Sequence, residues 1–176
     1  MENVLSNIQA VLSTTAARWQ SLIETIPGAL LTRQPAPKEW SALECLQHVL
    51  DCERLVFPVR LQAFLAGQNF PDFDPDTVQR NLTAETTPAE TAAKFTNLRT
   101  ISLKMLAKVT DADLSRTAIH DKLGQVTLAE MLNEWGGHDL MHIVQAERAI
   151  MQPFISGCGP WRFYFLDHDA VVHKPD

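Results

Sequence analysis

Three short stretches constrain this chain more than anything else in it: Ser41-Ala-Leu-Glu44, Thr87-Pro-Ala-Glu90 and Thr127-Leu-Ala-Glu130. Each has the form of a capping box, in which a hydroxyl accepts from the backbone N–H three residues on while the glutamate reaches back to the first residue's own amide. The second also carries proline at the first helical position, where no partner for its nitrogen is needed. Helices therefore begin at 41, 87 and 127, independently of any apolar pattern. Another helix is read from pattern alone: Val4, Leu5, Ile8, Val11, Leu12, Thr15, Trp19, Leu22, Ile23 and Ile26 recur at three- and four-residue steps, and the stripe ends at Pro27-Gly28.

The third helix is expected over 88–108 on the stripe Ala92, Phe95, Leu98, Ser102, Met105 and Val109. The fourth is expected over 128–152, stopped by Pro153 and the glycines of "SGCGP". "LLTRQPAPKEW" reads as a connector, because Pro35 and Pro37 restrict themselves and their predecessors. Strand signals are weak and no repeat is visible, so the expected class is all-α, a four-helix bundle. The stretch "GQNFPDFDPDTVQRNLTAETT" is far longer than a hairpin between neighbouring helices needs. Read as a crossover between helices two and three, it makes those helices parallel and the bundle up-down-down-up. The connection 109–126 is long too, with room for a helical turn at Asp111–Arg116. Residues 1–152 form the bundle in this reading. The tail 153–176, with Trp161, Phe163, Tyr164 and Phe165, is too aromatic for a solvated end and is expected to pack on the bundle or on a second subunit.

A chain of 176 residues, 45% hydrophobic, can bury one substantial core. Its net charge of −6 comes without any basic block, which excludes the electrostatic footprint of a nucleic-acid binder. No stretch approaches a membrane span and the first residues lack the pattern of a leader, so the expected location is cytoplasmic. Cys45, Cys52 and Cys158 are odd in number and lack CxxC spacing, which favours free thiols.

Chemistry enters with "EWGGHDLMHIVQAER", residues 134–148, where His138 and His142 stand one helical turn apart. Advancing about 100° per residue, Leu128, Met131, Leu132, Trp135, Ala146 and Ile150 set the apolar side of helix four. His142 falls inside that arc and His138 on its edge. An imidazole in a dry bundle costs free energy unless each nitrogen finds a partner. Both rings could be satisfied core residues; a shared cation would serve equally, since neutral imidazole binds zinc or nickel well. His48 is the only histidine of helices one to three and lies about 10 Å into helix two, while His142 lies about 15 Å from the end of helix four. Those heights nearly coincide in an antiparallel pair, and a parallel pair would also tolerate them.

Residues 37–53, "PKEWSALECLQHVLDCE", together with residues 124–148, "GQVTLAEMLNEWGGHDLMHIVQAER", resemble the DinB-like family, which includes the YfiT-type metalloenzymes. The similarity spans residues 1 to about 152. It implies an up-down-down-up bundle, a divalent metal (zinc or nickel) held by His48, His138 and His142, and a homodimer. Family members that act as enzymes are mostly metal-dependent thiol transferases or isomerases using a low-molecular-weight thiol such as mycothiol, bacillithiol or glutathione. The resemblance thus ranks S-transfer first, with a metal-dependent hydrolase or a catalytically silent metal-binding stress or interaction protein as alternatives. Three neutral ligands would leave the ion doubly charged with a vacant position, as catalytic sites require. Gln145 could hydrogen-bond a ligand ring or a bound water, or be a core-edge amide. Asp51 could orient His48 but reads better as a solvated acid, and Glu134 points to the polar side, so no general base is assigned. Cys158 reads as an inert thiol, and the acidic "PDFDPD" lacks an EF-hand pattern. Leu140, Met141, Val144 and Met151 lie opposite the inward stripe and would leave an apolar patch for the tail or a second copy to cover.

Overall fold

The computed structural model describes residues 3–70 and 87–170. All three capping boxes form as the sequence implies: Ser41, Thr87 and Thr127 each accept from the glutamate amide three residues on, and each glutamate accepts in return from the cap. They head α3 (Ala42–Leu55), α5 (Pro88–Leu106) and α6 (Leu128–Gly157). Before them run the long α1 (Val4–Thr25), capped by Asn3, and the single turn α2 (Gly28–Leu31). α4 (Phe57–Ala66) continues the second helix after a break at Val56, whose φ of −114° and ψ of −80° leave the helical region just before Pro58 in the first turn. Gly67 closes α4 in the left-handed conformation at φ 67°, which favours a residue without Cβ.

Two apolar clusters fix the direction of each helix. One gathers Ile8 and Leu12 of α1, Cys52, Leu61 and Phe64, Leu106 of α5, and Leu128, Leu132 and Trp135 of α6. The other gathers Ala16, Trp19 and Ile23, then Ala42, Leu46 and Val49, then Ala92 and Phe95, and finally Ile143, Ala146 and Ile150. Passing from the first cluster to the second, residue numbers rise along α1 and α6 and fall along α3 and α5. The bundle is therefore up-down-down-up, with α3 parallel to α5 and antiparallel to α6. α1 and α6 approach closely where Gly136 leaves room: a Cβ there would stand 2.8 Å from Cδ1 of Ile8.

Two local features, a hairpin and the length of the last helix, differ from expectation. Residues 117–127 hold a two-stranded antiparallel hairpin, β1 (Thr117–His120) and β2 (Gly124–Thr127), preceded by a 3-10 turn at Asp111–Ser115 where a helical turn was expected. Pro153 does not stop the last helix, which runs on to Gly157. Proline forfeits one intrahelical hydrogen bond, but the turn beyond it buries Ile155 and leads into a 3-10 segment at Gly159–His168. The end of that segment is fixed to α6, since Gln152 donates to the His168 carbonyl and accepts from the Ala170 amide. Of its aromatic side chains, Trp161, Phe163 and Tyr164 are exposed on the single chain, Tyr164 by 76%, and Phe165 is half-buried. Among the described residues, no helix is long and apolar enough to cross a membrane. The acidic stretch 71–76 and His173 lie outside the described residues.

Candidate metal centre

α3 and α6 face each other in opposite directions, and at their crossing His48 meets His138 and His142. The Nε2 atoms of His48 and His138 are 3.1 Å apart. The three rings each offer one nitrogen, all within 4.8 Å of one another. His142 is buried and the other two half-buried, matching the helical phase that puts His142 inside the apolar arc and His138 on its edge. Nδ1–H of His142 donates to Oε1 of Gln145 at 2.9 Å, which fixes the tautomer and leaves Nε2 with its lone pair for the cluster. Trp40 lies over the group, stacked on His142 at 5.7 Å between centroids and tilted against His48 at 4.9 Å. Phe57 meets the edge of His138 on the opposite flank.

Burial decides the protonation of these rings. It is the main cause that holds His48 down to about 4, with His142 adding to it. Burial again dominates at His138, which falls to about 3 with help from His142, His48, Arg60 and Arg99. His142 is lowered by burial too, opposed by its hydrogen bond to Gln145 and by Asp139. The centre thus presents neutral imidazoles at ordinary pH, the form that binds a cation. Nδ1 of His138 is buried without a hydrogen-bond partner among the described residues. Converging neutral donors of one chemical kind, in a site poor in acceptors for their protons, fit a borderline divalent ion and not a hard one.

Neighbouring acids do other work. Asp51 does not reach His48; it is buried and accepts from Arg54 at 2.9 Å, and burial raises its pKa against the pull of Gln47 and Arg54. Glu134 is exposed and lies 3.5 Å from Arg60. Cys158 donates to the Ile155 carbonyl at the end of α6. Asp139, next to His138, turns away into a cluster that sequence reasoning missed. There Arg99, 1% exposed, bonds Asp139 at 2.6 and 3.1 Å, Glu53 at 2.8 Å, Thr15 at 2.8 Å and the Leu12 carbonyl at 3.1 Å. Burial disfavours the guanidinium charge, but Asp139 and Glu53 outweigh it and raise its pKa. Trp40 was also missed as part of the site, although its place just before the Ser41 cap puts its side chain over the first turns of α3. Cys52, which the sequence marks only as a free thiol, touches two of the three rings.

His142 opens onto a cleft of about 560 Å³ lined by Lys38, Glu39, Trp40, Met141, Val144, Gln145 and Arg148. Lys38 stands at its lip with φ 71°, a left-handed backbone uncommon outside glycine.

The sequence pattern of the DinB superfamily matches residues 12–146, a span holding all three histidines. The chain belongs to the DinB superfamily. No curated protein matches its sequence closely enough to count as a relative. Among solved structures, the fold is similar to that of YfiT from Bacillus subtilis, described as "a probable metal-dependent hydrolase with an unusual four-helix bundle topology". The two share 16% identity with a TM-score of 0.76, over 88% of this chain and 89% of YfiT. At that identity the likeness establishes the bundle and its topology for this superfamily member.

Proposed function

We propose that this DinB superfamily protein is a divalent-metal-dependent enzyme, with zinc or nickel held by His48, His138 and His142, and that it transfers a low-molecular-weight thiol. The observation that carries the proposal is the convergence of three neutral imidazole nitrogens within 4.8 Å at the crossing of α3 and α6. When bound, such an ion supplies a Lewis acid that lowers the pKa of a thiol or a water presented to it. The protein's own residues prepare that encounter. Gln145 keeps His142 in one tautomer, while Trp40 shields the rings from bulk water and forms one wall of the cleft. Trp40 offers an apolar face for the alkyl part of a substrate, and Lys38 offers a cation to its carboxylates. Small peptide-like thiols combine those two characters.

Metal-dependent hydrolysis is the second reading, favoured by the description of YfiT. The proposal also includes a homodimer, with Leu140, Met141 and Val144 of α6 at its interface; these side chains are exposed in the single chain, Val144 by 58%.

The test is elemental analysis of protein purified without added metal, alongside the His142→Ala and His48→Gln variants, followed by a thiol-consumption assay with several small thiols and an electrophile. The native protein is expected to retain about one divalent ion per chain and the variants to lose most of it. Equal metal in all three would overturn the proposed centre. Metal-dependent cleavage of ester or amide substrates without thiol consumption would favour hydrolysis.

A further inference from the structure

A separate cavity of about 150 Å³ lies between α4, the β1–β2 hairpin and the first turns of α6. Phe70, Val126 and the buried Met131 give it an apolar wall, to which Leu123 of the hairpin turn belongs while 72% exposed. An apolar cavity of about that volume accepts a molecule the size of benzene, so a branched aliphatic side chain fits. Two charges of opposite sign share the wall and are poorly matched. Arg60 is 8% exposed, yet Glu134, its one carboxylate partner among the described residues, is exposed and stands 3.5 Å from Nη1, at the limit of a hydrogen bond. Nε of Arg60 is buried without an acceptor among the described residues. The Phe70 ring, with its centroid 5.1 Å from Cζ, offsets the charge only in part. A buried guanidinium needs close carboxylates to replace its lost hydration, and Arg99 in the same bundle has two, at 2.6 and 2.8 Å. The other acid of the wall, Glu130, is already committed to Thr127, whose amide and hydroxyl both donate to it at 2.7 Å. His120 accepts the Lys122 amide at Nδ1, which makes its Nε2 a donor.

We propose that this cavity binds a small apolar α-amino acid, its side chain against Phe70, Val126 and Met131 and its zwitterionic head between Arg60 and Glu134. A simple carboxylate would draw Arg60 from Glu134 and set two like charges side by side. A simple amine would draw Glu134 away and leave a buried guanidinium unpaired. An α-amino acid brings both charges at once: its carboxylate accepts from Arg60 and His120, and its ammonium donates to Glu134. Because Glu134 is exposed, it can turn aside to admit the head with little loss of packing. Binding here needs no metal ion.

Titration of the full-length protein with L-leucine, followed by NMR of isotope-labelled methionine methyl groups, tests this. Met131 lines the cavity and Met141 lines the cleft at His142, so the two sites report separately. Leucine is expected to shift the Met131 methyl saturably. Isocaproate and isopentylamine, which keep the branched chain but lack the ammonium or the carboxylate, should bind about tenfold or more weakly, as should glycine, which lacks the chain. Glu134→Gln, at an exposed position that leaves the core intact, should lose the preference for leucine over isocaproate. A Met131 methyl unmoved by leucine would overturn the proposal, as would a shift confined to Met141. So would isocaproate binding to wild type as tightly as leucine, or a preference for leucine that survives Glu134→Gln.

Discussion

Each imidazole of the triad is neutral because burial withholds the water that a cation would need, and this has a measurable consequence for the metal-free protein. His48 and His138 are held at about 4 and about 3, below the ordinary value near 6.5 that the unfolded chain recovers. Above pH 6.5 neither state takes up a proton and the rings make no pH-dependent contribution. As pH falls below that value the unfolded state binds protons that the folded state refuses, so stability declines steadily toward pH 4. Urea midpoints of metal-free protein should fall between pH 7 and 4, and a His48→Gln, His138→Gln variant should show a flatter profile. Identical profiles would mean that these rings are not buried neutral. At this scale the sequence was partly legible. Helical phase places His142 inward, because the apolar arc of α6 is wide and regular. The contact of Trp40 and Cys52 with the rings was not, since both depend on how α3 crosses α6 and not on any repeat along one helix.

The four helices meet at Arg99, which links Leu12 and Thr15 of α1, Glu53 of α3 and Asp139 of α6 from its own place on α5. Glu53 follows Cys52 and Asp139 follows His138, so the cluster sets the rotation of both site-bearing helices. Removing the cation would leave two carboxylates buried without a counter-charge. Arg99→Met is therefore expected to lower stability by about 3–5 kcal/mol, read from chemical denaturation. Replacing Glu53 and Asp139 by Gln and Asn in the same chain should recover part of the loss. A loss below about 1 kcal/mol, the level of an exposed ion pair, would show that the cluster is solvated. Nothing in the pattern of α5 marks this arginine as buried, because a charge within a mixed stripe reads as a helix flank until its partners are known. Helix starts, by contrast, are written locally in the three boxes. The break at Val56 escapes because apolar residues continue on both sides of it. The hairpin escapes because four-residue strands are too short to show alternation. Pro153 misleads because tertiary packing outweighs the single hydrogen bond that it removes.

For the molecule as a whole, the length of the connection after Gly67 made the parallel pairing of α3 and α5 legible, since a short loop can join only antiparallel neighbours. The proposed homodimer would cover the outer face of α6. Leu140, Met141 and Val144, with the exposed Phe154, Trp161, Phe163 and Tyr164 further along, present an apolar surface on the single chain. Light scattering is expected to give twice the chain mass, and Val144→Glu to shift the protein toward monomer without loss of helicity. A monomeric wild type at high concentration would contradict the dimer and leave the metal centre untouched.

Anomalous diffraction from zinc-soaked crystals bears most directly on that centre. A single strong zinc peak is expected at about 2.0–2.1 Å from one nitrogen of each of His48, His138 and His142. Zinc bound only elsewhere, with His48 and His138 still in direct nitrogen-to-nitrogen contact, would contradict it.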